Sequence, residues 1–176
     1  AMTGVGVWPT ETSVTLGLGV EIHAYGIFSE EGLENWLTWE AVWTSSDESI
    51  ATVGNWPADP GRVTGLAAGS VVITASVGDF SAEALVTVID REIVSIEIGP
   101  ENPVVPPDRI QEFVAIAKFD DDSTLDVTED ATFTSTDSTV AAVIEAYPGM
   151  VSTASPGEVT ITAAVGEISG NTTLTV

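Results

Sequence analysis

The stretch Val42–Val53, which reads VWTSSDESIATV, recurs 90 residues later as Thr132–Val143, which reads TFTSTDSTVAAV. A second block, Gly69–Ala75 (GSVVITA), recurs 88 residues later as Gly157–Ala163 (GEVTITA). Blocks that recur in the same order indicate two copies of one structural unit. The offset changes only between blocks, where loops tolerate insertions and deletions.

The repeat divides the chain into a first domain over 1–90 and a second over 91–176. The junction Ile89–Ile93 has no Gly, Pro or Ser, which favours a stiff connection between the domains. The first domain has 12 acidic residues and one arginine, and the second has 15 acidic and three basic residues. The net charge of −23 therefore comes from both domains and not from an acidic tail.

Apolar residues occupy every second position of several short segments. Val71, Ile73 and Ala75 alternate with Val72 and Thr74, and the second copy repeats this pattern. A period of two indicates strands with one face on a core. Gly, Pro, Asp and Ser interrupt these segments at the spacing, about 8–12 residues, that is typical of a β-sandwich. The sequence thus predicts an all-β chain of two small antiparallel sandwiches.

Composition excludes several functions. The 176 residues include no Cys, so disulfides, Cys-ligated zinc and a thiol nucleophile are absent. Four Lys and Arg among 27 acidic residues disfavour nucleic acid as a partner. No segment has the roughly 18 consecutive apolar residues of a membrane-spanning helix, so we expect no membrane insertion. No secretion signal is recognisable at the start, and we expect any export signal to lie outside this sequence.

The repeated blocks resemble the bacterial immunoglobulin-like domain of group 2, the invasin and intimin type. The resemblance rests on Trp43–Asp47 followed by Ile50–Val53, and on Gly61–Gly69 followed by Val71–Ala75. In the second copy Phe119–Thr128 resembles the acidic hairpin of that family, but Phe133 replaces the tryptophan and Ser152–Pro156 departs from the pattern. The resemblance implies two tandem immunoglobulin-like antiparallel β-sandwiches. It also implies occurrence in cell-surface adhesins, secreted enzymes and phage structural proteins.

We predict no catalytic residue and no enzymatic activity. His23 is the only histidine, and strand alternation places it on the outer face beside Glu21. No serine lies in a nucleophile-elbow pattern, and no glycine-rich oxyanion segment is present. The favoured interpretation of His23 is a solvated strand residue.

Clustered carboxylates make calcium the one metal to consider. Asp120, Asp121, Asp122 and Asp126 lie within seven residues, and calcium takes six to eight oxygen ligands. The cluster lacks the glycine and distal glutamate of an EF-hand loop, so an acidic turn between strands is the preferred interpretation. No other cofactor is predicted.

The repeat alignment separates the tryptophans into two classes. Trp43 aligns with Phe133 and is predicted to anchor the core of its domain. Trp36 and Trp39 align with acidic residues, and Trp56 aligns roughly with Tyr147. Trp36, Trp39 and Trp56 are therefore candidate contact residues for protein or sugar. The alternative is that Trp36 and Trp39 close the end of the sandwich, or cover the loop over 30–33.

These observations favour a non-enzymatic tandem module of a larger exported surface or phage protein, which acts as a rigid spacer or contact unit. Its partners would be the other domains of the parent protein and a host or cell-surface protein or glycan, and its location would be extracellular or at the cell surface. Two alternatives remain open. The chain binds a ligand through its tryptophans or calcium through its acidic turn, or it is an accessory domain of a secreted hydrolase.

Overall fold

The computed structural model describes residues 1–29 and 35–176, and within these ranges the chain forms strands and turns and no helix. The backbone divides into two compact units, Ala1–Asp90 (unit 1) and Arg91–Val176 (unit 2). No helix in the described residues is long and apolar enough to cross a membrane.

In residues 1–29 and 35–90, unit 1 is built from ten strands. They are β1 Met2–Trp8, β2 Glu11–Thr15, β3 Gly19–Glu21, β4 His23–Phe28, β5 Asn35–Trp36, β6 Val42–Ser45, β7 Ala51–Asn55, β8 Ala58–Gly65, β9 Gly69–Val77 and β10 Phe80–Ile89. Their hydrogen-bonded orders are β1-β4-β5, β2-β10-β9-β6 and β3-β8-β7. The first segment changes sheets at Pro9, a residue that cannot donate to a ladder. Before it, β1 pairs antiparallel with β4, and after it β2 pairs parallel with β10.

Unit 2 repeats this arrangement with nine strands. They are β11 Ile93–Gly99, β12 Ile110–Glu112, β13 Val114–Phe119, β14 Thr124–Asp126, β15 Thr132–Ser135, β16 Ala141–Val143, β17 Met150–Thr153, β18 Glu158–Val165 and β19 Ile168–Thr175. Their orders are β11-β13-β14, β12-β17-β16 and β15-β18-β19. A parallel bridge between Val104 and Thr175 stands where β2 pairs with β10 in unit 1.

Each unit has its own apolar core, formed by the inward positions of these strands. In β9 the side chains of Val71, Ile73 and Ala75 are buried, as the alternation predicts. Trp43 is 2% exposed and fills the centre of unit 1. Phe133 fills the corresponding place in unit 2. The prediction of an all-β chain with two tandem immunoglobulin-like units is confirmed.

A buried glycine lies at the same place in both units. Gly61 has a φ of +83°, and a Cβ there would lie 2.2 Å from the backbone oxygen of Ile22. Gly149 has a φ of +79°, and a Cβ there would lie 2.2 Å from the backbone oxygen of Phe113. Because only glycine combines a left-handed φ with so close a backbone approach, this residue fixes the bend in strand β8 and the start of β17.

Candidate functional site

The first wall of the candidate site comes from strands β1 and β4 of unit 1. Alternation along β4 buries Ala24 and turns His23 and Tyr25 outward, where both are half-buried. Trp8 is the register partner of His23, and their rings stack with centroids 6.4 Å apart and planes 12° apart. Gly6 is the register partner of Tyr25, and a Cβ at Gly6 would lie 2.3 Å from the Tyr25 ring. The glycine therefore leaves the space that this ring occupies.

Strand β5 extends this wall by one tryptophan. Trp36 is the register partner of Tyr25 on the other side of β4. Its ring meets His23 edge to face at 5.6 Å and Tyr25 edge to face at 6.2 Å. Such edge-to-face pairs are favourable because the positive ring edge faces the negative ring surface. Trp8, His23, Tyr25 and Trp36 thus form one connected group, which we call the strand wall.

The second wall comes from two turns. Thr38 is buried, and its Oγ1 accepts a hydrogen bond from the backbone N–H of Ala24 at 3.0 Å. This bond holds the turn that places Trp39 on the surface. Trp56 lies in the turn between β7 and β8, and its ring meets Trp39 edge to face at 5.7 Å. We call Trp39 and Trp56 the turn wall.

An open groove of about 350 Å³ lies between residues of the two walls. Its polar lining comes from β3 and β8, where Glu21 and Arg62 are register partners. The Oε2 of Glu21 also lies 3.7 Å from Nε2 of His23. The full lining is Glu21, His23, Trp36, Thr38, Trp39, Asp59, Pro60 and Arg62.

The tryptophans around this groove are mostly in contact with solvent. Trp8, Trp36, Trp39 and Trp56 are 62%, 58%, 59% and 67% exposed. These are four of the five tryptophans in the chain, and the fifth is the core residue Trp43. Exposed aromatic side chains gathered around a depression indicate a contact surface, whereas single exposed apolar residues are ordinary.

Unit 2 has a depression at the same place with a different lining. It measures about 410 Å³ and is lined by Glu112, Val114, Asp126, Thr128, Glu129, Ala146, Tyr147, Pro148 and Met150. The acid Glu112 and the hydroxyl of Thr128 repeat Glu21 and Thr38 of unit 1. The two tryptophans of the lining do not repeat: Asp126 and Glu129 stand where unit 1 has Trp36 and Trp39. Tyr147 corresponds roughly to Trp56.

Residues 1–88 and 92–176 each match the sequence profile of the bacterial Ig-like domain (group 2). The chain belongs to this family. The resemblance identified from the repeated blocks is thereby confirmed.

This bacterial Ig-like pair is similar to a curated relative and to several solved structures. Ice-binding protein 1 of Shewanella frigidimarina (strain NCIMB 400) is 33% identical over 180 residues, which cover 99% of this chain and 19% of that protein. The Ig-like pair therefore spans about a fifth of the length of this relative. Domains 5-6 of the S-layer protein SbsC are 18% identical at a TM-score of 0.48, with 99% and 98% of the chains covered. Human protocadherin-24 EC1-2 is 10% identical at a TM-score of 0.32, with 100% and 98% covered.

The tryptophans predicted as contact residues of the Ig-like pair lie on unit 1 in two groups. Trp36 belongs to the strand wall, and Trp39 and Trp56 form the turn wall. The loop over 30–33, which was the alternative packing partner for Trp36 and Trp39, lies outside the described residues. Sequence reasoning missed Trp8, although its place one step beyond the alternating Val5 and Val7 is the signal of an outward position.

His23 faces outward, as the alternation predicts, but it is not a fully solvated residue. Its side chain is 37% exposed because Trp8 and Trp36 cover part of the imidazole ring. The histidine is therefore part of the strand wall. Glu21, two positions earlier in the chain, brings a carboxylate to the same groove.

Three of the four candidate calcium ligands, Asp121, Asp122 and Asp126, are engaged with other groups. The Oδ1 of Asp121 accepts hydrogen bonds from N–H and Oγ of Ser123. Asp122 forms an ion pair with Nζ of Lys118 at 2.8 Å, and Asp126 accepts from N–H and Oγ1 of Thr128. In residues 1–29 and 35–176, no three His, Asp or Glu side chains are arranged to hold a metal ion. Asp120, Asp121 and Asp122 lie in the turn between β13 and β14, and Asp126 is the last residue of β14.

The hydrogen bonds to Asp121 lower the pKa of that carboxyl. The Ser123 hydroxyl and N–H together lower the pKa of Asp121 below its ordinary value, and Arg91 lowers it further. The Nη1 of Arg91 also donates to Ser123 at 3.0 Å, and its guanidinium carbon lies 4.4 Å from the centroid of the Phe119 ring. Arg91 therefore fastens the first residues of unit 2 to the acidic turn through a hydrogen bond and a cation–π contact.

Proposed function

We propose that this pair of bacterial Ig-like domains is a non-catalytic module of a larger exported protein, in which unit 1 contacts a partner and unit 2 serves as a spacer. The family assignment supports the modular role, because such sandwiches supply rigid support while their function lies in the surface residues they carry. The relative of which the chain spans 19% supports a place within a longer protein.

The difference between the two depressions is the observation that carries this proposal. Both units keep the fold, the depression and the hydrogen-bonded threonine, Thr38 in one and Thr128 in the other. Only unit 1 lines the depression with tryptophans, Trp36 and Trp39. The sandwich of unit 2 forms with acidic residues at the positions of Trp36 and Trp39, so folding alone gives no reason for the two tryptophans. A contact role gives such a reason, because tryptophan contributes more than most residues to binding energy.

An extracellular or surface location agrees with the same observations. The net charge of −23 is shared by both units, and this negative charge opposes association between copies of the chain at a crowded surface. Its partners would be the adjoining domains of the parent protein and, at the groove of unit 1, a molecule displayed on a cell surface or in the extracellular matrix.

Retention on surfaces tests the contact role. The full chain, labelled at its N-terminus, would be incubated with intact bacterial cells and with extracellular matrix, and compared with a W36A/W39A variant. Tyr147→Ala, which alters the depression of unit 2, is the matched control. We expect the wild type and Tyr147→Ala to be retained and W36A/W39A to be released. Equal retention of all three proteins would place the contact surface elsewhere.

The ice-binding relative defines a second measurement. Because the chain spans only 19% of that protein, we assign the pair a supporting role within a protein of this kind and not the contact with ice itself. Ice recrystallisation in the presence of the full chain should proceed as in buffer. Inhibition at micromolar concentration would instead give the pair a direct role at the ice surface.

A further inference from the structure

We infer that the groove of unit 1 binds a neutral saccharide chain. This inference rests on the proposed contact role of unit 1 and names the chemistry of its partner. The ligand must offer apolar faces to the two aromatic walls, and donors and acceptors to the polar lining between them. A pyranose ring has both, because its C–H bonds cover the ring faces and its hydroxyls project from the rim.

The aromatic walls supply the stacking surfaces. Trp36 stands at the end of the strand wall and Trp39 at the edge of the turn wall, and both line the groove while more than half of each side chain is exposed. Ring pairs within each wall fix the orientation of both indoles before a ligand arrives. Preorganised rings lose little conformational freedom on binding, which favours affinity from a small contact area.

Two walls also favour an oligosaccharide over a single sugar. Trp36 contacts His23 and Tyr25, whereas Trp39 contacts Trp56, so the stacking surfaces belong to separate groups. A chain of linked sugars can place one ring on each. The groove is open, and its volume of about 350 Å³ falls in the range of ligand sites, about 300–1,000 Å³.

The polar lining and the surrounding charge favour a neutral saccharide over an anionic one. Glu21 and Asp59 line the groove in a unit that carries 12 acidic residues and one arginine, so an anionic ligand meets repulsion. That one arginine, Arg62, lies in the same lining as the two carboxylates. Carboxylates and a guanidinium together accept and donate hydrogen bonds, which suits hydroxyl groups that do both.

Unit 2 provides an internal comparison. Its depression keeps the acid Glu112 and the threonine Thr128, but Val114 replaces His23 and Met150 replaces Arg62. Tyr147 is its one aromatic lining residue. A saccharide site that needs two indoles and a guanidinium would therefore exist in unit 1 and be absent from unit 2.

A glycan array followed by a titration tests the inference. The labelled full chain would be applied to an array of neutral and anionic oligosaccharides. We expect binding to neutral members only. The strongest neutral oligosaccharide would then be titrated while tryptophan fluorescence is recorded, since four of the five indoles lie at the groove and its walls. A signal confined to anionic glycans, or none on the array, would overturn the inference.

Variants connect the signal to the groove. W36A/W39A should weaken binding of that oligosaccharide by about tenfold or more, because each removes a stacking surface. Tyr147→Ala should bind as the wild type does. If W36A/W39A loses its fold, protection of the wild-type tryptophans from acrylamide quenching by the saccharide gives the same information. Unprotected tryptophans at saturating saccharide would contradict a site between the walls.

A last comparison separates the ligand class from the contact role. The cells and matrix that retain the chain would be treated with periodate, which cleaves the vicinal diols of sugars, or with a protease. Loss of retention after periodate alone supports a saccharide. Loss after protease alone means that the groove contacts a protein, so the saccharide inference fails while the contact role stands. If cells and matrix retain W36A/W39A as well as the wild type, both the saccharide inference and the contact role of the groove fail.

Discussion

The indole Nε1 of Trp43 donates a hydrogen bond to the backbone oxygen of Thr38 at 3.0 Å. The residue that fills the core of unit 1 therefore also holds the turn that presents Trp39 at the groove. In unit 2 the corresponding Phe133 has no such donor. There Asp126 accepts hydrogen bonds from N–H and Oγ1 of Thr128, at 2.9 and 2.6 Å. Both units keep the threonine bond of this turn, and each adds a different second partner, Trp43 in unit 1 and Asp126 in unit 2. Unit 1 has Trp36 at the position of Asp126.

Trp43→Phe should destabilise unit 1 while leaving its fold intact. Phenylalanine is the residue of unit 2 at this position, but it leaves the backbone oxygen of Thr38 without its indole donor in a buried place. We expect the free energy of unfolding to fall by about 1–3 kcal/mol, measured by urea denaturation with circular dichroism. Val42→Ala, at an exposed neighbouring position, should change it by less than about 0.5 kcal/mol. Equal effects of the two variants would show that the indole bond contributes nothing.

Asp126→Ala tests whether the hydrogen bonds from Thr128 to this carboxylate stabilise the corresponding turn of unit 2. The carboxylate holds both polar groups of Thr128, whose Oγ1 in turn accepts from N–H of Ala115 at 2.9 Å. Removing it should lower the free energy of unfolding of unit 2 by about 1 kcal/mol. Asp126→Asn keeps a carbonyl acceptor and should lose less, as followed by differential scanning calorimetry. If the amide and alanine variants melt together, charge and not hydrogen bonding explains the role of Asp126.

Sequence alone predicts most of the fold because the relevant signals are local or repeated. The alternation of Val71, Ile73 and Ala75 identifies a strand within seven residues, and the alignment of Trp43 with Phe133 identifies a core position by comparison of the copies. The same comparison predicts exposure of Trp36 and Trp39, and both are exposed in the structure. Their role as contact residues stays a prediction.

The contacts within the strand wall and the turn wall are harder to predict from sequence, because they depend on which residues the folded chain brings opposite each other. Trp8 and His23 are 15 positions apart, and they meet only because β1 and β4 pair with these two residues opposite each other. The register also shifts at a bulge between Met2 and Gly4, and the sequence there does not predict a bulge. Likewise Trp39 meets Trp56 through two turns that belong to different sheets. Sequence patterns indicate which residues face outward, and pairing decides which of them become neighbours.

Gly61→Ala should be far more damaging than Gly78→Ala, although both glycines have a left-handed φ. At Gly78 the space around a Cβ is open, so alanine costs only the backbone strain of about 1–2 kcal/mol. At Gly61 the Cβ would in addition lie 2.2 Å from the backbone oxygen of Ile22, which forces two strands apart. Thermal melting should show a clearly larger loss for Gly61→Ala. The equivalent pair in unit 2, Gly149 and Gly166, should behave in the same way, and similar losses within a pair would contradict the clash.

Acid should remove a specific contribution of Asp47 to stability. Its Oδ1 accepts from Oγ of Ser49 at 2.6 Å and from N–H at 2.9 Å, and these bonds lower the pKa of Asp47 below 3.8. Because the folded-state pKa is lower than the unfolded one, the contribution is fully present above pH 3.8 and disappears as the pH falls through the lowered folded pKa. Asp137, whose pKa is lowered by Thr139, repeats the arrangement in unit 2.

The measurement must separate this contribution from the general effect of acid on a chain of charge −23, because protonation also relieves repulsion among the carboxylates. We therefore compare melting temperatures of wild type and Asp47→Ala at each pH. The difference should be constant from pH 7 to about 5 and should shrink below pH 3.8. Glu48→Ala removes the same charge from the neighbouring position and serves as the control for repulsion. A difference that persists unchanged at pH 2 would mean that the contribution of Asp47 does not depend on its ionisation. A difference that Glu48→Ala reproduces would mean that Asp47 acts through its charge alone and not through the hydrogen bonds to Ser49.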